Sequence, residues 1–356
     1  MSLFFLDRPW SSRQPSTVWR LCTLLQVAAL ALFILVFGWR STAHAEAPAC
    51  QGINLLEEMK EADPASYEKI VAEGAKVPNG KGLFWRIEKP GLKPSWLLGT
   101  MHVTDPRVLA MPQGAEAAIE ASDVVVIESD EVLDEQKALA SIMTRPDLTM
   151  FTDGTSMQTL LGKQDLALLE EGLKKRGIPL SSVAHMKPWM LMAFVSLPAC
   201  EMARKAQNTA FLDKRIALDA RADGKTVKGL ETYAEQLSAM ASIPNDIHLK
   251  SLIEAVRLGS RMDDVFATMT ELYLAGEIGQ TVPLLKEVAP DGSDDAGYAE
   301  FEELIVTKRN HLMAERAAPL LAEGSVFLAV GALHLPGEEG LIELLRKQGY
   351  QVQPAI

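Results

Sequence analysis

The sequence predicts an α/β protein: a mixed central β-sheet flanked by helices, with a helical insertion. Three observations carry this. Short apolar runs of strand character recur, with DVVVIESD (123–130) the clearest. Long stretches of helical periodicity separate them. Two of the runs, SWLLGTMH (95–102) and SVFLAVGALH (325–334), end on a histidine three residues after a glycine.

The first 45 residues stand apart from that pattern. Arg8, Arg13 and Arg20 precede the apolar run VAALALFILVF (27–37), and STAHA follows with small residues at Ala43 and Ala45. Basic, apolar, then small is the order of a secretory signal, with cleavage expected after Ala45. An uncleaved membrane anchor is the alternative, because the stretch from Leu21 to Trp39 approaches spanning length. Both readings send residues 46–356 out of the cytoplasm, and a periplasmic location is expected. Removing the four Arg and one Asp of 1–45 takes the formal charge from −12 to −15. Such an acidic chain disfavours nucleic acid and anionic membrane surfaces as partners. Cys22 leaves with the signal, so Cys50 and Cys200 remain and are expected to form one disulfide in an oxidising compartment.

Residues 46–80 are polar, helical in part, and close on the turn VPNGKG. GLFWRIEK (82–89) and SWLLGTMH then flank PGLKP as a hairpin. GAEAAIEAS reads as a short helix. In DVVVIESD, the unbroken Val-Val-Val-Ile core suits a strand covered on both faces. The pattern from about 135 to 220 is helical. Its Met-rich segment HMKPWMLMAFVSLPACEMARK (185–205) is too short and too interrupted by Pro198 to span a membrane, so a buried helix is expected there. KTVKGLE (225–231) returns to strand character and 232–288 is helical again. A long helix over about 299–321, the strand 325–334, the helix EEGLIELLRKQG and the closing strand YQVQP complete the chain. DGSDDAG (291–297) reads as a solvated acidic loop.

Four apolar strands therefore end on His102, Glu128, Glu231 and His334. In sheets covered by helices, ligand sites gather beyond the carboxyl ends of the strands. A glycine ahead of the polar residue permits a tight turn or a close approach. Two imidazoles and two carboxylates in one crevice suit a divalent ion with an open position that activates water. They equally suit a histidine acting as general base without metal. The bland alternative for each histidine is a hydrogen-bonded structural residue, and the paired spacing is what argues against it. Turning 100° per residue from Ile305 along FEELIVTKRNHLMAERAAPLL places Arg309 inside the stripe Phe301, Leu304, Ile305, Leu312, Met313 and Leu320. There it would aim a fixed positive charge into the crevice. Arg316 falls in the same stripe and is expected to snorkel to the rim. His185, His248 and His311 are read as structural or solvated, and Asp105 and Arg107 as loop anchors. HExxH, GxSxG and Walker motifs are absent from the sequence.

With CQGINLL, DPASY, GLFWRIEKPGLKPSWLLGTMHVTDPRV, DVVVIESD, FLDKRIALDARADGKTVKGLETYAEQ, TKRNHLMAERA and FLAVGALHLPGEEGLIELLRKQGYQV in this order, the chain resembles the TraB/GumN family, whose animal relatives are the Tiki proteins. The resemblance implies a mixed α/β sheet in a hydrolase-like superfamily shared with erythromycin esterases and ChaN-like haem-binding proteins. Tiki members are regarded as metal-dependent proteases that trim Wnt proteins. Carried over position by position, the site would be His102, Glu128, Glu231, Arg309 and His334, with Asp213, Gln236 and Asn310 supporting it. The expected function is an exported, metal-dependent hydrolase acting on peptide or protein substrates, with a divalent Mn, Co or Zn ion. His102 and His334, with Glu128 or Glu231, would hold the ion. The remaining Glu would take the proton from attacking water, and Arg309 would stabilise the oxyanion. Two alternatives stay open: a metal-independent, histidine-based esterase, and a non-catalytic haem, iron or partner-binding protein.

Overall fold

Strand 84–88 forms because its alternating side chains find apolar cover, and it turns back through Gly91, whose φ of 85° suits glycine. The computed structural model describes residues 50–289 and 295–355, so the expected signal segment 1–45 lies outside the described residues. The strands are β1 (Phe84–Glu88), β2 (Ser95–Thr100), β3 (Val124–Ile127), β4 (Thr226–Gly229), β5 (Val326–Gly331) and β6 (Gln351–Pro354). They make one six-stranded sheet in the order β4-β3-β5-β2-β1-β6. The four strands β4, β3, β5 and β2 run parallel, and β1 is antiparallel to both β2 and β6. The sheet is mixed and helices cover it, as expected from the sequence.

Successive side chains of a strand point to opposite faces, and here each face has its own helices. On one, Leu97, Val126, Leu328 and Val330 pack with Met313, Ala314 and Ala317 of helix Lys308–Leu321 and with Ile342 and Leu345 of helix Leu341–Lys347. On the other, Leu98, Val125, Ile127 and Phe327 pack with Ile119 of helix Ala115–Ala121 and with Leu212, Ile216 and Ala217 of helix Leu212–Ala222. Burial on both sides explains why β3 and β5 read as unbroken apolar runs rather than alternating ones. Phe327 is wholly buried, so truncating it to Ala would cost about 3–5 kcal/mol.

The chain between β3 and β4 is helical, and much of it gathers around a separate apolar cluster containing Leu169, Leu173, Leu191 and Val195. Helix Asn245–Leu258 joins that cluster through Leu252 and Ile253, so it draws on chain well beyond residue 220. The Met-rich segment is two helices, Pro188–Ser196 and Ala199–Ala206, because Pro198 cannot continue the first and instead precedes the second. No helix among the described residues is long and apolar enough to cross a membrane. Cys50 and Cys200 are joined in a disulfide, with their Cα atoms 5.1 Å apart.

Candidate active site at the carboxyl ends of the strands

Parallel strands deliver their carboxyl ends to one edge of the sheet, and the four polar tips follow from that. His102 stands just beyond β2, Glu128 beyond β3, Glu231 beyond β4 and His334 at the end of the single 3-10 turn after β5. The β3–β4 ladder continues past its strands: the amides of Leu230 and Glu231 both donate to the Glu128 carbonyl, at 3.0 and 2.7 Å. That draws the two carboxylates together. The glycines of both GxxH motifs are needed for close approach. A Cβ on Gly331 would sit 3.0 Å from Glu128 Oε1, which instead accepts the Gly331 amide at 2.7 Å. A Cβ on Gly99 would meet Ala332 at 3.1 Å and Leu335 at 3.0 Å, so the first motif packs directly on the second.

Arg309 lies between the carboxylates. Its Nε donates to both oxygens of Glu231 at 3.1 Å, and its Nη2 donates to Glu231 Oε2 at 2.7 Å and Glu128 Oε2 at 2.9 Å. Gln236 Nε2 adds a bond to Glu128 Oε2 at 3.0 Å and a longer one to Glu231 Oε2 at 3.4 Å. Such a planar fork between two carboxylates is a task for arginine rather than lysine. Burial alone would lower the Arg309 pKa, but its two carboxylate partners raise it and keep the guanidinium charged. The helical wheel anticipated this position, yet the wheel itself needs correction. Residues Glu302–Thr307 are a π-helical turn, a local widening that resets the angle before helix 308–321 begins. In consequence Asn310, Met313, Ala314 and Ala317 are buried, while Leu304, Ile305 and Leu312 are only half-buried.

The two histidines differ. His334 is buried, and its Nδ1 donates to Asn310 Oδ1 at 2.7 Å, in the tautomer that leaves Nε2 free. That Nε2 stands 3.8 Å from Glu128 Oε1. Burial depresses the His334 pKa to about 4, against the pull of Glu128, so the ring is neutral near pH 7. His102 has 53% of its side chain exposed and lies over Phe211, with Nε2 3.5 Å from Asp213 Oδ1. Desolvation would lower its pKa, but the Asp213 carboxylate outweighs it and raises the ring to about 9. Burial would raise the Glu128 carboxyl, yet His334, His102, Arg309 and the Gly331 amide hold it at about 2. Because His334 is uncharged near neutrality, His102, Arg309 and the amide carry that effect there. Asp213 accepts Thr100 Oγ1 at 2.7 Å, and its buried Oδ2 has no hydrogen-bond partner. The structure thus brings His102, Glu128, Glu231, Arg309, His334, Asp213, Gln236 and Asn310 into one site.

Several contributors left no mark in the sequence. Tyr273, on helix Arg261–Leu274, donates its hydroxyl to the Gly99 carbonyl at 3.0 Å and so pins the first GxxH turn. Glu201 is wholly buried; its carboxylate accepts the Thr104 amide at 3.0 and 3.1 Å, the Thr104 hydroxyl at 2.9 Å, and Arg204 Nη1 at 3.2 Å. It follows Cys200 directly, so the disulfide and the clamp on the loop after His102 share one helix. The one available signal was an acid inside an apolar segment, which needs a partner when buried. Arg316 reaches the half-exposed rim. It forms a bidentate pair with Glu235 at 2.6 and 2.9 Å and caps the Leu230 carbonyl at 2.6 Å. His185 and His248 bond backbone carbonyls, and His311 pairs with Glu339 on the surface. Asp105 caps the short helix Pro106–Leu109 and pairs with Arg107, which reaches Glu271.

As a donor set for a metal ion, neutral His334, ionised Glu128 and His102 supply the N and O atoms that divalent ions take. His334 already has the outer hydrogen bond that orients a ligating imidazole. Glu231 is fully engaged by Arg309. As placed, no three His, Cys, Asp or Glu side chains among the described residues close around one point.

Known proteins are similar to the chain over much of its length. Metalloprotease TIKI2 of Danio rerio is 24% identical over 328 residues, covering 76% of this chain and 60% of its own length. A metalloprotease TIKI homolog of Nematostella vectensis is 22% identical over 380 residues, covering 92% of this chain and 75% of its own. Metalloprotease TIKI1 of Danio rerio is 26% identical over 317 residues, covering 76% and 62%. The chain thus spans about three-fifths of the length of the two Danio rerio relatives. No solved structure matches it significantly. The model of the TraB/PrgY/gumN family matches residues 83–354, a span that holds every residue of the site, and the chain belongs to that family.

Proposed function

We propose that the protein is an exported, metal-dependent hydrolase that cleaves peptide bonds. The observation that carries the proposal is the convergence of a neutral, Asn310-oriented His334, an ionised Glu128 and a charge-fixed Arg309 on one open pocket. The metalloprotease names of the relatives supply the reaction class. Export is supported by the basic, apolar, small-residue order of 1–45 and by the disulfide. The donor chemistry fits a divalent ion held by His334, Glu128 and His102, the last once its proton has left. Bound there, the ion would supply Lewis acidity and make water nucleophilic near neutral pH.

The remaining chemistry belongs to the chain itself. Asn310 holds His334 so that Nε2 faces Glu128. Glu231 fixes the plane of Arg309, whose guanidinium stays charged beside the pocket and meets negative charge as it develops on a carbonyl oxygen. Asp213, with Oδ1 3.5 Å from His102 Nε2, holds that imidazole at the edge of the pocket. Buried Thr100, through its bond to Asp213, fixes the carboxylate behind that imidazole. A second reading, metal-free hydrolysis by this histidine and carboxylate pair, is favoured by Asp213 Oδ1 lying 3.5 Å from His102 Nε2, and its rate would climb as pH rises toward about 9 and the imidazole loses its proton.

Elemental analysis of the purified protein, beside His102→Ala and His334→Ala, separates these readings. Stoichiometric Mn, Co or Zn lost in both variants, together with chelator-sensitive peptide hydrolysis, is the expected result. Full activity in both variants would sink the proposal, and chelator-insensitive activity lost only in His102→Ala would select the metal-free reading.

A further inference from the structure

The polar floor of the pocket has an apolar wall that neither the family match nor the catalytic reading explains. Thr100, His102, Glu128, Arg309 and His334 line a cavity of about 240 Å³. Met101, Met269, Ile278, Ala332 and Leu333 line the same cavity with apolar side chains. Two of these, Met101 and Leu333, stand immediately before the histidines of the two GxxH motifs, so the same turns that deliver the imidazoles deliver apolar side chains beside them. Leu333 keeps 40% of its surface exposed, a cost that an unoccupied position does not repay by packing. Tyr273 adds a ring that cannot swing away, because its hydroxyl is bonded to Gly99.

Size narrows the occupant. Sites that enclose a whole small ligand measure about 300–1,000 Å³. This cavity is smaller, and it accommodates one side chain of a longer substrate rather than a complete molecule. Among the residues beside Met101, Met269, Ile278 and Leu333 only Thr281 adds a polar side chain, so a charged substrate side chain packed against them would lose hydration that little replaces. We infer that Met101, Met269, Ile278 and Leu333 form a specificity subsite for a single large apolar side chain, of leucine, methionine or phenylalanine, next to the bond that is cut. This rests on the hydrolase reading for the phrase "bond that is cut", while the binding preference stands apart from it.

The test uses the full-length protein with Mn²⁺ and Gly/Ser peptides that each carry one Leu, Met, Phe, Ser, Asp or Lys. Binding is read in parallel by saturation-transfer NMR with N-acetyl-leucine amide and N-acetyl-serine amide. Cleavage is expected at a fixed distance from the apolar residue, at least about tenfold faster than in the Ser, Asp or Lys peptides, since burial of such a side chain is worth that much or more. Leu333→Asp removes the preference and the leucine-amide signal, Leu333→Met retains both, and Met143→Ser, at an exposed position of helix Glu135–Thr144 outside the cavity lining, changes neither. Hydrolysis without side-chain preference overturns the subsite and leaves the hydrolase reading intact. A leucine-amide signal that depends on Leu333, with no peptide hydrolysed, upholds the subsite and removes the hydrolase reading. Equal or absent signals from the two amides, without preferential cleavage, overturn the subsite.

Discussion

Replacing Arg309 with Met keeps the length and apolar stem of the side chain but leaves two carboxylates facing each other with no cation between them. The side chains of Glu231 and Glu128 are 1% and 7% exposed and that of Arg309 14%, so water does little to screen the loss. Breaking a buried ion pair by removing one partner costs about 3–5 kcal/mol. A body of this size loses about 2 °C of Tm per kcal/mol, which puts the expected fall at roughly 6–10 °C. The loss should shrink in acid, where Glu128, no longer held down by the guanidinium, takes a proton and relieves the repulsion. Arg309→Lys restores charge without the fork and should recover only part of the stability. The decisive measurement is a double-mutant cycle with Glu231→Gln, followed by urea unfolding at pH 7. Coupling of at least about 1 kcal/mol between the two positions is expected, because they share three hydrogen bonds within 3.1 Å. Simple additivity, with coupling below about 0.5 kcal/mol, would refute the account of Arg309 as the group that Glu231 holds in place.

Other outcomes follow from the same geometry. Glu201→Ala deletes a buried carboxylate that four hydrogen bonds reach, and should destabilise by about 3 kcal/mol while speeding exchange of the Thr104 amide; unchanged protection at Thr104 would count against the clamp. Between pH 4 and 6.5 the unfolded chain binds more protons than the fold because His334 is held neutral, and between about pH 2 and 4.5 the same is true of Glu128. Stability should therefore fall as acid is added below pH 6.5. His102 acts oppositely: its folded pKa lies above the unfolded one, so its contribution is complete below pH 6.5 and lost as pH rises through about 9. Unfolding followed across pH should show the acid limb flattened in His334→Gln and the alkaline limb in His102→Gln. Opening the Cys50–Cys200 disulfide, whose cysteines lie 150 positions apart, should cost up to about 5 kcal/mol on chain-entropy grounds, measured as the Tm difference with and without reductant.

Much of the site was legible because strand ends are local features. Unbroken apolar runs mark β3 and β5, and the residues that follow them, Glu128 and His334, had nowhere to go but the rim of the sheet. The paired Gly99-x-x-His102 and Gly331-x-x-His334 spacing was visible in one dimension, as was the amphipathic helix bearing Arg309. Asp213, Gln236 and Asn310 were reachable only by resemblance, since nothing in their spacing links them to the strands.

What the sequence determined by itself is therefore the class of fold and the side chains that line the crevice. Tertiary structure decided their division of labour. Glu128 and Glu231 are equivalent acids at equivalent strand ends, yet only the parallel pairing of β3 with β4, and a π turn ahead of Arg309, give Glu231 wholly to the guanidinium. His102 and His334 share a motif, yet burial beside Asn310 keeps one neutral while Asp213 charges the other. Tyr273 and Glu201 lie 174 and 97 positions along the chain from the backbone they hold. Charge state and hydrogen-bond partnership depend on distance in space, and a periodicity in the chain carries no information about that distance.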